Sequence, residues 1–566
     1  MLNQPLSELF HRMAQILEFL GDPNDKFKIR AYVNASISLQ DAQEDVGKMA
    51  KEKRLREIPG IGQGIAYKID EFMKTGHVME FEKMKLLIPK GFFEMLEISS
   101  LGPKKVKALN LALGIETVAQ LEKAIAEGKV QKLLGFGERS AEKITEGIVL
   151  KAKNKGRRSI GTVYLTVKQM VDALKKCKDV IEVVPAGSFR RGEETVGDID
   201  ILTTGKNPGK IMQYFAKLPF VEAVLGTGKT KTTIVTKDGL QVDLRMVAPD
   251  EFGSALQYFT GSKLHNVHLR TYAKAHGFKL SEYGFFKGEK RVASKTEEEC
   301  YQAIGMQYIP PELRTNTGEI EAALAHTLPK LIKVADIKGD LHAHSRWSDG
   351  LSTIEQMALA AHARGYEYLA MTDHSPSLTI ANGLTFARLK QKKKEIEALN
   401  ATLPITILVG TEVDILADGS IDYPDEILKQ FDIVVASVHS RFMGDNTKRI
   451  MKAMENPYVH ILGHPSGRLI GKRNPYALDY EKLFKKAAET GTILEINGQP
   501  ERLDLQDNYI REAKRFGCRF AINSDSHSAD SLWLMELGVT WARRGWVEKG
   551  DAVNTLPLVK LKKALK

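Results

Sequence analysis

The sequence predicts a multidomain chain that is helical at its N-terminus, α+β in its middle and α/β at its C-terminus. Three observations carry that reading. The chain's 566 residues exceed what one hydrophobic core organises, so about three to five domains are expected. Up to about residue 155, apolar residues recur at helical spacing around repeated glycine turns. Beyond Val163 strand-like runs alternate with helices, and beyond about residue 336 short apolar runs close on His, Asp or Glu.

Composition narrows the class. With 43% hydrophobic and 27% charged residues this is ordinary globular material. No apolar run of about 18 residues occurs, and the opening MLNQPLSELFHRMAQ reads as an amphipathic helix without a signal peptide's apolar core. A cytoplasmic protein, a monomer without membrane attachment, is expected. Cys177, Cys300 and Cys518 are scattered and odd in number, which excludes a disulfide framework or zinc ribbon. Of the net charge of +11, +9 falls in residues 1–320, a polyanion signal that charge alone leaves weak.

The helical region holds a weak repeat: Ile58-Pro-Gly-Ile-Gly-Gln-Gly-Ile, Ile98-Ser-Ser-Leu-Gly-Pro-Lys-Lys and Leu133-Leu-Gly-Phe-Gly-Glu-Arg-Ser. Each puts glycines (Gly60, Gly62 and Gly64; Gly102; Gly135 and Gly137) in a turn that opens a new helix. Glycine lets a phosphate approach, and the free amides of a helix N-terminus bind it without reading base sequence. These turns resemble helix-hairpin-helix elements. A single such turn is usually a plain helix connection, but three in a basic region point to DNA backbone.

A basic link, Lys151 to Arg158, leads into β-like runs at Val180–Pro185, Asp198–Leu202, Thr232–Thr236 and Leu240–Met246. Asp198 and Asp200 alternate along one run and so face one side; Asp243 on a neighbouring run can join them. Three carboxylates suit two Mg²⁺ ions, one activating a 3′-hydroxyl and one holding a triphosphate. Upstream, Gly187-Ser188-Phe189-Arg190-Arg191-Gly192 offers amides, a hydroxyl and guanidinium groups to phosphate oxygens in a turn. Gly197 immediately precedes the Asp-x-Asp pair.

That combination resembles the nucleotidyltransferase superfamily, and Tyr258-Phe259-Thr260-Gly261-Ser262 with Asn266 and Arg270 resembles family X DNA polymerases, the group that includes DNA polymerase beta. The resemblance implies that Tyr258 and Phe259 crowd the sugar 2′ position, with Gly261 beside them. It places Asn266 against the base, Arg270 against the template, and Ser188 and Arg191 on the triphosphate. It extends to the N-terminus, where Lys68 falls on the family's lyase nucleophile and Lys28 and Tyr32 on a phosphate pocket. Gly64 stands where that family has a second lysine. Core packing is the plainer reading for the two aromatics, and a phosphate contact for Lys68.

In the last third, Asp340-Leu-His-Ala-His344, Thr372-Asp-His374, Gly410-Thr-Glu412, Ser437-Val-His439, Leu462-Gly-His464 and Ser524-Asp-Ser-His527 each close an apolar run, six of seven such runs in this part of the chain. Imidazole and carboxylate delivered from many strand ends describe a multinuclear hydrolytic centre. The region resembles the PHP (polymerase and histidinol phosphatase) family. His342, His344, Asp349, His374, Glu412, His439, His464, Asp525 and His527 match that family's nine ligand positions. This implies a distorted (β/α)7 barrel with up to three Mn²⁺ or Zn²⁺ ions. Arg441, Arg468 and Lys472, just past ligand runs, are further candidates for holding substrate phosphates, on position alone.

The expected domains are then 1–88 (helical, lyase-like), 89–155 (helical, fingers-like), 156–250 (palm), 251–315 (thumb-like), 316–335 (a polar linker) and 336–566 (PHP). The expected function is template-directed filling of short DNA gaps from deoxynucleoside triphosphates, with a 3′-5′ exonuclease or 3′-end-cleaning phosphodiesterase in the barrel, working on gapped or nicked duplexes at the nucleoid. A barrel that is a small-molecule phosphatase, a silent DNA-binding scaffold, and template-independent nucleotidyl transfer are the alternatives.

Overall fold

The computed structural model describes residues 2–41, 46–58, 60–98, 101–153, 156–442 and 444–565. Pro59, Ser99 and Ser100 of the repeated turns lie outside the described residues. Among the described residues no helix is long and apolar enough to cross a membrane.

The first 150 residues are short helices around one apolar core. Corresponding positions of the three repeats are buried alike. Ile61, Leu101 and Phe136 are at most 5% exposed, and Ile69, Leu109 and Ile144 are fully buried. Burying the same two positions fixes each turn's geometry and leaves its glycines outside.

The palm is a five-stranded sheet ordered Val180–Pro185, Ile199–Gly205, Gln241–Met246, Lys231–Thr236, Val221–Thr227. Only the Ile199–Gly205 and Gln241–Met246 pair is parallel. Helices Ile160–Lys175 and Pro208–Ala216 cover its apolar face. The sequence showed no sign of the edge strand Val221–Thr227, because its residues are half-buried or exposed.

Residues 316–335, expected to be a polar linker with helical patches, carry the helix Glu319–Leu324 and pack on the thumb. Ile320, Ala323 and Leu331 are buried with Leu269, Phe285 and Tyr301. A run that is polar on average still docks by three apolar side chains.

The C-terminal region is a sheet of seven parallel strands in chain order: Gly339–Ala343, Tyr368–Met371, Thr406–Asp414, Ile433–Ser437, Ile461–Leu462, Ile493–Asn497 and Phe520–Asn523. It nearly closes into a barrel through the Ala343–Ser526 bridge and the Asn523 side chain, which accepts from Leu341 N at 3.2 Å. Neighbouring residues divide between two apolar clusters, Leu369 and Met371 in one and Tyr368 and Ala370 in the other. The strands therefore read as continuous apolar runs, as expected when both faces are covered. Helices such as Ile354–Ala363, Phe386–Asn400 and Tyr480–Thr490 connect them, with Thr353, Thr385 and Asp479 as N-caps.

Palm and barrel share a packed contact. Tyr164 stacks on Trp533 with ring centroids 5.1 Å apart, and its hydroxyl donates to Glu536 at 2.9 Å.

Candidate functional site

Parallel pairing puts Asp200 opposite Asp243 in register, so both carboxylates leave one end of the sheet. Asp198 sits just before the strand, which begins at Ile199, and is exposed. Burial first, and then repulsion from Asp198, raises the pKa of Asp200. Lys231 Nζ lies 2.6 Å from Asp243, and Arg245 lies 3.6 Å from Asp200 and 3.9 Å from Asp243. Among the described residues the three aspartates do not form a group at ligand distance from one another. Lys231 and Arg245 compensate their charge.

The segment expected as a turn, Gly187 to Arg191, is a single helical turn, Gly187–Arg190. Gly187 adopts φ 59°, and a Cβ there would stand 3.0 Å from Asp200 Oδ2, so glycine lets this turn lie against the Asp200 carboxylate. Ser188 and Gly197 are half-buried. Arg190 does not face an open site: it pairs with Glu297 at 2.6 Å and bonds Thr260 at 2.7 Å. Arg191 donates to the Thr260 carbonyl, next to Gly261.

Tyr258 and Phe259 meet edge to face at 5.2 Å and are half-buried, and Arg245 lies over the Phe259 ring at 4.6 Å. Asn266 is held from both sides, donating to the Tyr258 carbonyl and accepting from Gln257, each at 2.8 Å. Gln257, Tyr258, Asn266, Arg270 and Ser281 line one small cavity. The two contacts expected for base and template thus share a wall.

In the N-terminal domain, Gly62 and Gly102 are the N-caps of helices Gln63–Thr75 and Pro103–Leu113, without side-chain caps. Gly60, Gly62, Gly64, Gly102 and Gly135 are exposed, so a phosphate can approach these turns, but the amides of Ile61, Ile65 and Phe136 already donate to the Ile58, Gly62 and Leu133 carbonyls, and Pro103 has none to offer. Gly137 opens the third helix, but Glu138 in its first turn puts a carboxylate there. Lys28 and Lys68 converge on Glu80, at 2.5 and 3.1 Å, and the Tyr32 hydroxyl donates to it at 3.3 Å. Burial opposes the Glu80 charge, yet the two lysine hydrogen bonds outweigh it and hold its pKa below the ordinary value. The expected phosphate pocket therefore contains a carboxylate that sequence reading missed.

The barrel ligands converge. Three overlapping groups have atoms close enough to share an ion: His344, Asp349, His374 and His527; His342, His344 and Asp525; His374, Glu412 and His439. His464 belongs to none of these but stands 2.9 Å from Glu412. Among the described residues, buried ring nitrogens of His342 (Nε2), His344 (both) and His464 (Nδ1) have no hydrogen-bond partner. Orphaned imidazoles facing Glu412, Asp525 and Asp349 fit divalent cations, which would satisfy both sets.

Sequence reading missed the residues that orient these ligands. His342 Nδ1 is 2.6 Å from Glu495, and His439 Nδ1 is 2.6 Å from Asp414, which turns each Nε2 toward Glu412. Glu495 was legible as the one charge within the apolar run Ile493–Asn497, where it is fully buried. Of the arginines and lysine expected to hold phosphates, Arg468 does not face the centre: it is buried against the Arg502 and Leu503 carbonyls and Glu194 of the palm. Lys472 pairs with Glu501 at 2.7 Å, and Arg441 is exposed. Arg502, 3.8 Å from Asp525, is the guanidinium beside the ligands.

A nucleotidyltransferase palm with its thumb, carried behind helix-hairpin-helix grips and joined to a ligand-rich barrel, defines the class of DNA polymerases that bear a phosphoesterase domain. Family models match in the same order: a helix-hairpin-helix domain over 1–78, a SAM-like helix-hairpin-helix tandem over 92–148, the DNA polymerase beta palm over 157–252, the DNA polymerase beta thumb over 255–315 and a PHP domain over 340–499. The chain is 37% identical, over 100% of both lengths, to the DNA polymerase/3′-5′ exonuclease PolX of Bacillus subtilis (strain 168). Its C-terminal part is 33% identical to a probable phosphatase of Thermoanaerobacter sp. (strain X514), over 40% of this chain and 94% of that one. A probable phosphatase of Syntrophotalea carbinolica is 34% identical over 34% of this chain and 81% of its own. The chain belongs to the PolX family, the family X DNA polymerases with a C-terminal PHP domain.

Proposed function

We propose that this chain extends the 3′ end at short gaps in duplex DNA under template direction, and that its barrel shortens or cleans 3′ ends, the two serving DNA repair in the cytoplasm. The observation that carries the reading is that one polypeptide holds both the Asp200–Asp243 pair beneath the Gly187–Arg190 turn and the convergent His, Asp and Glu set of the barrel. In the palm, Asp198, Asp200 and Asp243 would hold Mg²⁺, which supplies charge to the triphosphate and acidifies the primer hydroxyl. Arg191 and Ser188 orient the triphosphate, Tyr258 and Phe259 wall off the sugar, and Asn266 and Arg270 meet base and template. Lys28, Lys68 and the hairpin amides grip backbone phosphates.

In the barrel, the nine ligands would hold Mn²⁺ or Zn²⁺, up to three ions, which supply Lewis acidity at the scissile phosphate. Glu495 and Asp414 fix the orientation and tautomer of His342 and His439, and Arg502 offers a cation to a phosphate oxygen.

A 5′-labelled primer on a gapped duplex tests this with Mg²⁺ or Mn²⁺, with and without deoxynucleoside triphosphates. Extension that requires template and nucleotide, together with Mn²⁺-dependent shortening, is expected; loss of both from a folded protein would overturn the reading. The similarity of the barrel to probable phosphatases favours a second reading, a small-molecule phosphatase. Turnover of phosphomonoesters in preference to labelled DNA would select it.

A further inference from the structure

The palm segment that follows the phosphate-binding turn is clamped by the barrel domain. Arg544 ends the helix Leu534–Arg544 and is buried. Its guanidinium donates to the Arg191 carbonyl at 2.8 Å, and it lies 3.4 Å from Glu193 and 2.8 Å from Asp507. Glu193 is shared, since its Oε1 also accepts from Arg191 Nε at 3.4 Å. Between these residues Gly192, at φ 65°, approaches Thr540 so closely that a Cβ would lie 2.4 Å from its methyl group. One residue further on, Glu194 accepts from the buried Arg468 at 2.9 Å.

Charged groups are an inefficient way to join two domains, because desolvation cancels most of their attraction. Apolar stacking of Tyr164 on Trp533 already supplies cohesion. What directional, bifurcated contacts add is register: they fix one loop conformation and one direction for the side chains upon it. The side chain so fixed is Arg191, whose other end reaches the Thr260 carbonyl across the nucleotide site.

We propose that Arg544 is a positioning residue for nucleotide addition: by holding the Arg191 carbonyl and sharing Glu193, it aims the Arg191 guanidinium at the incoming triphosphate, so that the barrel domain completes the palm's nucleotide site. This rests on the reading of Arg191 as a triphosphate contact.

The test is single-nucleotide gap filling with Mg²⁺ at varied nucleotide concentration, using the full chain and the variants Arg191→Ala, Arg544→Ala, Arg544→Lys, Glu193→Gln and Tyr164→Phe. Misaiming a binding group weakens nucleotide binding without changing the chemistry. Arg544→Ala and Glu193→Gln should therefore raise the nucleotide KM about tenfold while kcat stays within about threefold. Arg544→Lys, which keeps the charge but loses the fork, should fall between. Tyr164→Phe breaks an interface bond elsewhere and should leave KM unchanged. Mn²⁺-dependent nuclease activity of the same preparations reports an intact barrel. Raised KM in Arg191→Ala with no change in Glu193→Gln and Arg544→Ala would overturn the proposal. A KM unchanged in Arg191→Ala would overturn the reading beneath it. Equal loss of both activities in Arg544→Ala, with wild-type KM in Glu193→Gln, would reduce Arg544 to a structural residue.

Discussion

Asp200 and Asp243 face one another in register across the parallel pair of the palm sheet, with Lys231 2.6 Å from Asp243. Two carboxylates held this way are metal-binding only when both are charged. Asp200→Asn or Asp243→Asn should each lower nucleotide incorporation at a gap by at least about a hundredfold while Mn²⁺-dependent nuclease activity persists. A fall in both activities would show that the sites are not separate.

The His342–Glu495 contact places a full carboxylate behind a metal-facing imidazole. Glu495→Gln should reduce metal affinity of the barrel roughly ten- to a hundredfold. Metal content after dialysis, together with nuclease rate against Mn²⁺ concentration, measures it. A rate that falls at saturating Mn²⁺ with affinity intact would argue for a direct chemical role instead.

Metal uptake should release protons. Burial opposes charge on His374 and His527, but Glu412 and Asp349 outweigh it and hold His374 at about 10, while Asp349 and Asp525 hold His527 at about 9. Both values are raised, so below them the metal-free rings are protonated, and ligation requires the neutral ring. Apparent affinity for Mn²⁺ should therefore climb as pH rises and level off only as pH passes about 9 and then about 10, with calorimetry in two buffers showing proton release. A flat profile would contradict the geometry.

Glu297 is buried between Arg190 at 2.6 Å and Arg314 at 2.7 Å, the latter fully buried. Burial alone would raise its pKa, but Arg314 and Arg190 bring it down to about 2 from the ordinary 4.5. A depressed value means stability that is fully present above the unfolded pKa and lost as pH falls toward the folded one. Glu297→Gln should cost about 3 kcal/mol at neutral pH, from stranding Arg314, and the gap should narrow below pH about 4.5. Denaturant melts of the two proteins over that pH range check it.

Lys68 shares Glu80 with Lys28, and an ion-paired ammonium is a poor nucleophile. Borohydride trapping on an abasic duplex should give little adduct with the wild type and more with Glu80→Gln. The same variant should bind a gapped duplex bearing a 5′-phosphate more tightly, because the pocket loses its own anion. Strong trapping by the wild type, lost in Lys68→Ala, would establish an imine-forming lysine despite the pair.

Several features were readable because the chemistry is local. An Asp-x-Asp run needs only strand alternation to align Asp200, and ligands that close apolar runs lie at strand ends whatever the barrel's curvature. Glycine turns repeat because each opens a helix over the same buried positions. Glu80, Lys231 and Asp414 escaped notice because each acts through a partner on another element. The packing of residues 316–335 on the thumb is not legible along the chain, because average polarity hides three apolar anchors.

Domain order and the residue types at both chemistries are legible along the chain, since periodicity and side-chain chemistry are properties of short segments. Which charges neighbour those residues follows from folding instead: Glu80 in the lysine pocket, Glu495 behind His342, Arg468 in the interface and Arg544 on the palm loop. Those contacts join residues far apart along the chain, and what brings them together is burial of a shared core, which no single segment encodes.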